Sequence, residues 1–462
     1  MPSTSRTLAA VLALTAFAGP GAAQSADRAR VVATLDSLAR AHVSDSLVAG
    51  VAVGVVSRGD TLLLGGYGLA DLEWAVPMAT DAVFEIGSVT KQFTAAAVLR
   101  LVEEGKLDLG ADITTYLPDY DTQGRSIPLR RLLDHTSGIK GYTEMPVFGE
   151  YMTRSLPRDS LVEKFEAVPL EFEPGTALIY NNSAYFLLGL IVEKVSGEPY
   201  EEWVEKHLFQ PLGMSRSSYC QQHAVVERRA HGYDQGPAGL QRKRYLDHTW
   251  PYAAGSLCST AGDLLRWNQA LHGGEVVDAA SYEDMTTPDP LVDGTPVRYA
   301  MGLMVFDDNG RRAITHGGGI NGFLSDAWHY PEQGLTVVVL QNAASQRGPG
   351  QLARSLVEAV IGKGEEPVAG TFAGDLSALV GTYRGPARGQ EWTADVSVVD
   401  GVLAIRRTGQ REPFKPMYVD GLRWKQGNAF WWFEPGPDGK ASVLRTDAGG
   451  GHYVLKRVPD QG

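Results

Sequence analysis

Cysteine is scarce, with only Cys220 and Cys258 in 462 residues. No C-x-x-C, H-E-x-x-H or EF-hand pattern occurs, so the chain offers no metal-ligand framework, and neither cysteine reads as catalytic. An even count permits one disulfide in an oxidising compartment; two buried thiols acting as small hydrophobes are the other reading, and both stay open. Positive charge is also short, 42 Lys and Arg against 54 Asp and Glu, for a formal net charge of −12. Without a basic run and interleaved aromatics, the sequence argues against nucleic acid as a partner. There is no G-x-S-x-G elbow of the kind an α/β-hydrolase needs, no fixed-period repeat and no low-complexity tract. Beyond the first twenty residues or so, no apolar run is long enough to span a bilayer.

The N-terminus reads as an address. Arg6 supplies a positive start, Leu8 to Ala18 an apolar stretch, and Gly21-Ala22-Ala23 a small-residue cleavage site. This predicts a signal peptide over residues 1–23, a mature chain from Gln24, and a periplasmic or extracellular protein without a membrane span. No Cys near the cleavage site offers a lipid attachment point.

With 44% hydrophobic residues the chain can bury a sizeable core, and its length suits one large domain with a smaller one. A helical stretch from Asp27 to about His42 precedes two strand-like runs, Val51 to Val56 and Thr61 to Leu64, split by Ser57-Arg58-Gly59-Asp60. Arg311 to His316, Phe323 to Tyr330 and Leu335 to Gln341 are strand-like again, and Gln351 to Ile361 reads as a closing helix. Between them lie helical patterns, including Ser88 to Glu104 stopped by Gly105 and Ser183 to Val195 stopped by Ser196-Gly197. The expected fold is α+β: an antiparallel sheet built from both ends of a domain over residues 24–362, flanked by helices, with a helical lobe inserted. A Gly/Pro/Glu-rich linker follows at 363–374. Residues 375–462 carry short alternating runs, Asp-Gly turns and four tryptophans, the pattern of a β-meander that closing into a barrel would free of edges.

Three short motifs carry chemistry, each weak alone. Ser88-Val89-Thr90-Lys91 sits at the start of a helical pattern, where a three-residue spacing puts the amine one turn from the hydroxyl. A buried lysine of lowered pKa can take that proton, whereas a Ser that merely caps the helix would look the same. A second S-x-x-K, Ser137 to Lys140, is broken by Gly138 and Gly141. Tyr180-Asn181-Asn182 offers a proton-carrying phenol beside an amide that can bind a carbonyl, or else a core tyrosine with a capping pair. His316-Gly317-Gly318-Gly319 ends a strand with a backbone edge a substrate can approach.

In order and spacing, the three resemble the S-x-x-K, Y-x-N and K/H-x-G motifs of the penicillin-recognising serine hydrolases. The similarity is to the branch holding class C β-lactamases, serine D-Ala-D-Ala carboxypeptidases, D-aminopeptidases and related esterases. Leu132-Leu133-Asp134-His135-Thr136-Ser137-Gly138-Ile139 resembles that branch's LLxHTSG stretch, which makes the second S-x-x-K a scaffold loop. The resemblance covers residues 30 to 362, and the C-terminal part is similar to the lipocalin-like barrel some members carry. It implies a β-lactamase/transpeptidase-like fold and a two-step acyl transfer without metal or organic cofactor, on a small-molecule or short-peptide substrate. Ser88 would be the acylated nucleophile, Lys91 its proton partner and Tyr180 the carrier of the proton to the leaving group. Asn182 would hold the substrate amide, the backbone N–H groups of Ser88 and Gly319 would form the oxyanion hole beside Gly318, and His316 would position the substrate.

The chain also departs from the family. His316 replaces the lysine of K-T-G and Gly317 supplies no hydroxyl, so a fixed cation for a β-lactam or D-Ala carboxylate is missing. A D-peptidase, amidase or esterase fits at least as well as a β-lactamase. A penicillin sensor whose adduct is not hydrolysed would carry the same residues.

Overall fold

The computed structural model describes residues 20–459 apart from 222 and 449, so most of the expected leader lies outside the described residues. Its helices include α1 (Pro20–His42), α2 (Thr90–Glu103), α3 (Asn182–Ser196), α4 (Ala261–His272) and α5 (Pro349–Ile361). No described helix is long and apolar enough to cross a membrane.

Strand β1 (Gly50–Ser57) reverses at Arg58-Gly59 into β2 (Asp60–Asp71), and β3 (Val76–Pro77) adds an edge. From the far end of the sheet-forming region come β4 (Met304–Asp307), β5 (Arg312–Ile320), β6 (Phe323–Tyr330) and β7 (Leu335–Gln341). The seven pair in the order β3-β2-β1-β7-β6-β5-β4, with β1 antiparallel to β7 at the join. The sheet is therefore built from both ends, as the two sets of apolar runs predict.

Alternation along the central strands decides what covers each face. Val51, Val53 and Val55 pack with Val337 and Val339 against Leu35 and Ala39 of α1 and Leu352 and Leu356 of α5. Ala52, Val56, Val338 and Leu340 point the other way, into the core shared with the helical lobe, including Phe93 of α2 and Leu264 of α4. Each fully buried valine contributes roughly 1.5–3 kcal/mol. Gly54 is required by the second face, since a Cβ there would stand 2.6 Å from Leu265 of α4.

Cys220 and Cys258 are joined in a disulfide across 38 residues of chain, with Cα atoms 5.2 Å apart. The bond fastens the end of the short strand Ser218–Tyr219 to its neighbour Leu257–Ser259, which leads out of the turn Tyr252–Gly255. A loop of that length predicts about 4 kcal/mol from denatured-state entropy. Cys258→Ser should lower the urea midpoint accordingly; a midpoint unmoved by the substitution or by reductant would remove the bond from the stability account.

Residues 363–373 carry no helix or strand. Beyond them lie β8 (Gly381–Ala387), β9 (Gln390–Val399), β10 (Val402–Arg407), β11 (Met417–Asp420), β12 (Arg423–Gln426), β13 (Ala429–Pro435), β14 (Ala441–Ala448) and β15 (Gly451–Arg457). Their order, β10-β9-β8-β15-β14-β13-β12-β11, is a curled half-barrel rather than the closed barrel expected. The end strands β10 and β11 do not pair with each other. Their gap is spanned by one bridge, Ile405 to Phe414. Pro413 and Pro416 flank that bridge and lack the N–H a ladder would need.

Candidate active site

The turn before α2 positions the first motif. Gly87–Val89 form one 3₁₀ turn and α2 begins only at Thr90, so Ser88 stands ahead of the helix proper, and neither it nor its neighbours make a side-chain cap. The reading of Ser88 as a helix cap is thereby set aside. Lys91, in the first turn of α2, has no solvent exposure. Its Nζ lies 3.2 Å from Ser88 Oγ, 2.8 Å from Asn182 Oδ1 and 2.8 Å from the Ala254 carbonyl oxygen.

Those three neighbours are not equivalent. The two at 2.8 Å are oxygens that only accept, and each takes an N–H from Lys91. Ser88 Oγ is a hydroxyl that can donate, and a neutral amine has two N–H groups and one lone pair. The site thus satisfies an uncharged Lys91 completely, with its lone pair facing the serine proton. Burial pushes the Lys91 pKa well below its ordinary value; the Arg388 cation acts in the same direction and Glu144 opposes it.

The second motif divides its work between two asparagines. Asn181 caps α3, its side chain accepting from Ala184 N at 2.9 Å. Asn182 turns to Lys91, and its Nδ2 donates to Thr143 Oγ1 at 3.0 Å. Tyr180 carries its ring 4.7 Å from Lys91 Nζ. Its hydroxyl is buried and makes no hydrogen bond with a described residue. Burial raises the Tyr180 pKa beyond the usual phenol range, while the neighbouring Ser88 hydroxyl and Arg388 pull it down. It holds its proton at neutral pH.

The His135 loop is the scaffold under this motif. His135 accepts from Asn181 N at 3.2 Å through Nδ1, its carbonyl accepts from Ile179 N at 3.1 Å, and its ring packs 4.3 Å from that of Tyr180. Ser137 and Lys140 of the second S-x-x-K do not meet: Ser137 Oγ accepts from Ile139 N, and Lys140 pairs with Glu171 at 2.5 Å.

The third motif arrives on β5. Pairing of β5 with β4 stops at Thr315, while pairing with β6 runs on to Ile320, leaving one edge of residues 316–320 free. That edge lies against the serine turn. A Cβ on Gly318 would stand 2.1 Å from the Ile86 carbonyl, and one on Gly87 would stand 2.9 Å from Gly319 N, so only glycines allow the approach. His316, 4% exposed, faces inward. Its Nε2 lies 2.9 Å from Tyr299 Oη and its Nδ1 2.6 Å from the Gly317 carbonyl. Burial, with Lys91 acting in the same direction, lowers its pKa to about 3, so the ring is neutral.

Ser88, Asn182 and Gly319 open onto one small cleft of about 190 Å³, walled by Tyr142, Phe148, Leu246, Pro251 and Ile320. A larger groove of about 840 Å³ lies between Phe306 and the half-barrel strands near Phe430 and holds none of the motif residues. The cleft also has a lining residue that no motif marks, Arg388, from the turn between β8 and β9.

Residues 35–360 match the family model described as Beta-lactamase. The chain belongs to the beta-lactamase family. A D-aminopeptidase of Gluconobacter oxydans is 27% identical over 342 residues, covering 72% of this chain and 62% of that one. The D-amino acid amidase of Ochrobactrum anthropi SV3, solved with L-phenylalanine amide, superposes with a TM-score of 0.63 at 27% identity, over 72% of this chain and 98% of the other. The octameric penicillin-binding protein homologue from Pyrococcus abyssi shares the fold over 92% of this chain and 99% of its own, with a TM-score of 0.64 at 23% identity. The chain spans about three fifths of the length of curated relatives it matches. The matched family region contains all three motifs and ends before the half-barrel that carries Arg388.

Proposed function

We propose that this beta-lactamase family protein is a serine hydrolase that cleaves an amide or ester bond through an acyl-enzyme on Ser88, acting on D-amino-acid peptides or related small amides and esters. The observation that carries the reading is the surroundings of Lys91: two fixed acceptors and one serine hydroxyl around a buried amine. Ser88 Oγ attacks the substrate carbonyl carbon as its proton passes to Lys91 Nζ, and the N–H groups of Ser88 and Gly319 receive the oxyanion. The bond to the leaving group breaks with a proton delivered through Tyr180, and water then releases the acyl group. Tyr180 and Lys91 have pKa values displaced in opposite senses, the arrangement that separates an acid from a base. Asn182 holds Lys91 and faces the cleft; neutral His316 fixes the β5 edge through Tyr299 and Gly317. A cleft of this size, against roughly 300–1,000 Å³ for drug-sized sites, suits one small acyl group. The amidase and aminopeptidase relatives support D-configured substrates.

The test is intact-mass and turnover measurement on p-nitrophenyl butyrate, nitrocefin, D-Ala-D-Ala peptides and D-amino-acid p-nitroanilides. Turnover with a transient Ser88 adduct is expected on the D-amino-acid peptides or on the related small amides and esters. A permanent adduct without turnover would favour a sensor instead. Tyr180→Phe should lower kcat by about 10²- to 10⁴-fold with little change in KM, the range for one positioned proton donor. Unchanged kcat would take Tyr180 off the proton path.

A further inference from the structure

The half-barrel reaches into the cleft. At the turn between β8 and β9, Gly389 adopts φ +71° and packs so closely that a Cβ there would stand 2.4 Å from Glu144 Cβ. Beside it, Arg388 Nε donates to Glu144 Oε1 at 2.5 Å, and its guanidinium carbon lies 5.1 Å from the Tyr180 ring centroid. The same loop region is tied down by backbone bonds in both directions between Leu178 and His452, two residues before Tyr180. Arg388 is thus gripped at one end of its fork and stacked on an aromatic face, with its side chain 39% exposed. Its Nη1 and Nη2 make no hydrogen bond with a described residue. Among the described residues lining the cleft, it is the one with a permanent charge.

We infer that Arg388 is the carboxylate-recognising residue of this site, selecting substrates with a free carboxylate on the leaving-group side of the scissile bond. The inference rests on the serine hydrolase reading and adds the substrate's charge. The position of K-T-G holds a neutral, inward-facing His316, so that position supplies no cation. Arg388 stands over Tyr180, the proton carrier to the leaving group, which places its charge on that side. Glu144 anchors Nε and leaves the Nη pair, the fork geometry that takes a carboxylate through two parallel N–H bonds. The cation needed for substrate recognition therefore comes from outside the matched family region, on a different sheet.

Binding tests this apart from catalysis. In full-length Ser88→Ala protein, calorimetry compares N-acetyl-D-alanyl-D-alanine with its C-terminal amide. The free acid should bind on the order of 10- to 100-fold more tightly, as a charge-assisted pair implies. Arg388→Ala in that background should erase the preference while leaving amide affinity within about threefold. Arg388→Lys, which keeps the charge and loses the fork, should retain part of it and serves if the alanine variant fails to fold. Equal affinity for acid and amide with Arg388 present, or a preference that survives both substitutions, would overturn the assignment. Whether Ser88 is the nucleophile is decided separately, by turnover of the unmutated chain against Ser88→Ala.

Discussion

Ser88→Ala is expected to abolish turnover, by on the order of 10⁶-fold, while the protein stays folded. The size is what the proposed acyl-enzyme implies, in which nucleophile and base act as one unit and Lys91, without Oγ, has no proton to take. The fold should tolerate the change because Ser88 caps no helix and stands in a 3₁₀ turn ahead of α2. Lys91 also remains satisfied. A neutral amine keeps its two bonds of 2.8 Å to Asn182 and Ala254, and only its lone pair loses a partner. Intact mass after exposure to a D-amino-acid ester should show no adduct in the variant, with an unchanged far-UV spectrum. Turnover within tenfold of the parent would exclude Ser88 as the nucleophile.

That the proposed nucleophile and base lie side by side was legible because their geometry is local. Ser88 and Lys91 are three apart at a helix start, and a Gly at 105, found at φ +67°, marks the end of α2. The sheet was legible for a similar reason, since runs such as Leu335–Gln341 are apolar on both faces and that strand is buried along its whole length. What escaped has no local signature. The Ala254 carbonyl that holds Lys91 is a backbone group in a short turn where Tyr252 adopts φ +42°. Arg388 is one arginine among many, and 300 residues separate it from Ser88 in the chain. The half-barrel's open edge turned on two prolines whose effect depends on which strands are neighbours. The cysteine pairing was decided by a strand register between Ser218–Tyr219 and Leu257–Ser259 that composition does not encode.

Where sequence reasoning was least specific, tertiary placement changed the meaning of a residue. Asn181 and Asn182 are chemically identical neighbours, yet one caps α3 and the other orients the buried amine. His316 sits at the motif position where a cation is expected. The structure closes both its nitrogens inside the protein and keeps it uncharged, which moves the question of substrate charge to Arg388.

Lys91→Met should lower kcat/KM by about 10⁴-fold or more and also change the shape of its pH dependence. Lys91 must be neutral to accept the Ser88 proton, so the rate rises as pH climbs through the lowered folded pKa and is lost below it. Burial sets that displacement, with Arg388 adding to it and Glu144 opposing. The residual rate of the methionine variant should lack this acid limb. Lys91→Arg should be equally inactive, because guanidinium keeps the charge and donors but does not deprotonate. Linkage supplies a readout independent of turnover. A lysine with a folded pKa below its unfolded value binds fewer protons in the native state. It therefore costs stability increasingly as pH falls from about 10.5 toward the folded value. The parent should thus gain stability with rising pH across that window, a gain the methionine variant lacks, measurable as urea unfolding at several pH values. An acid limb that persists in Lys91→Met, or an active Lys91→Arg, would assign the proton transfer to another group.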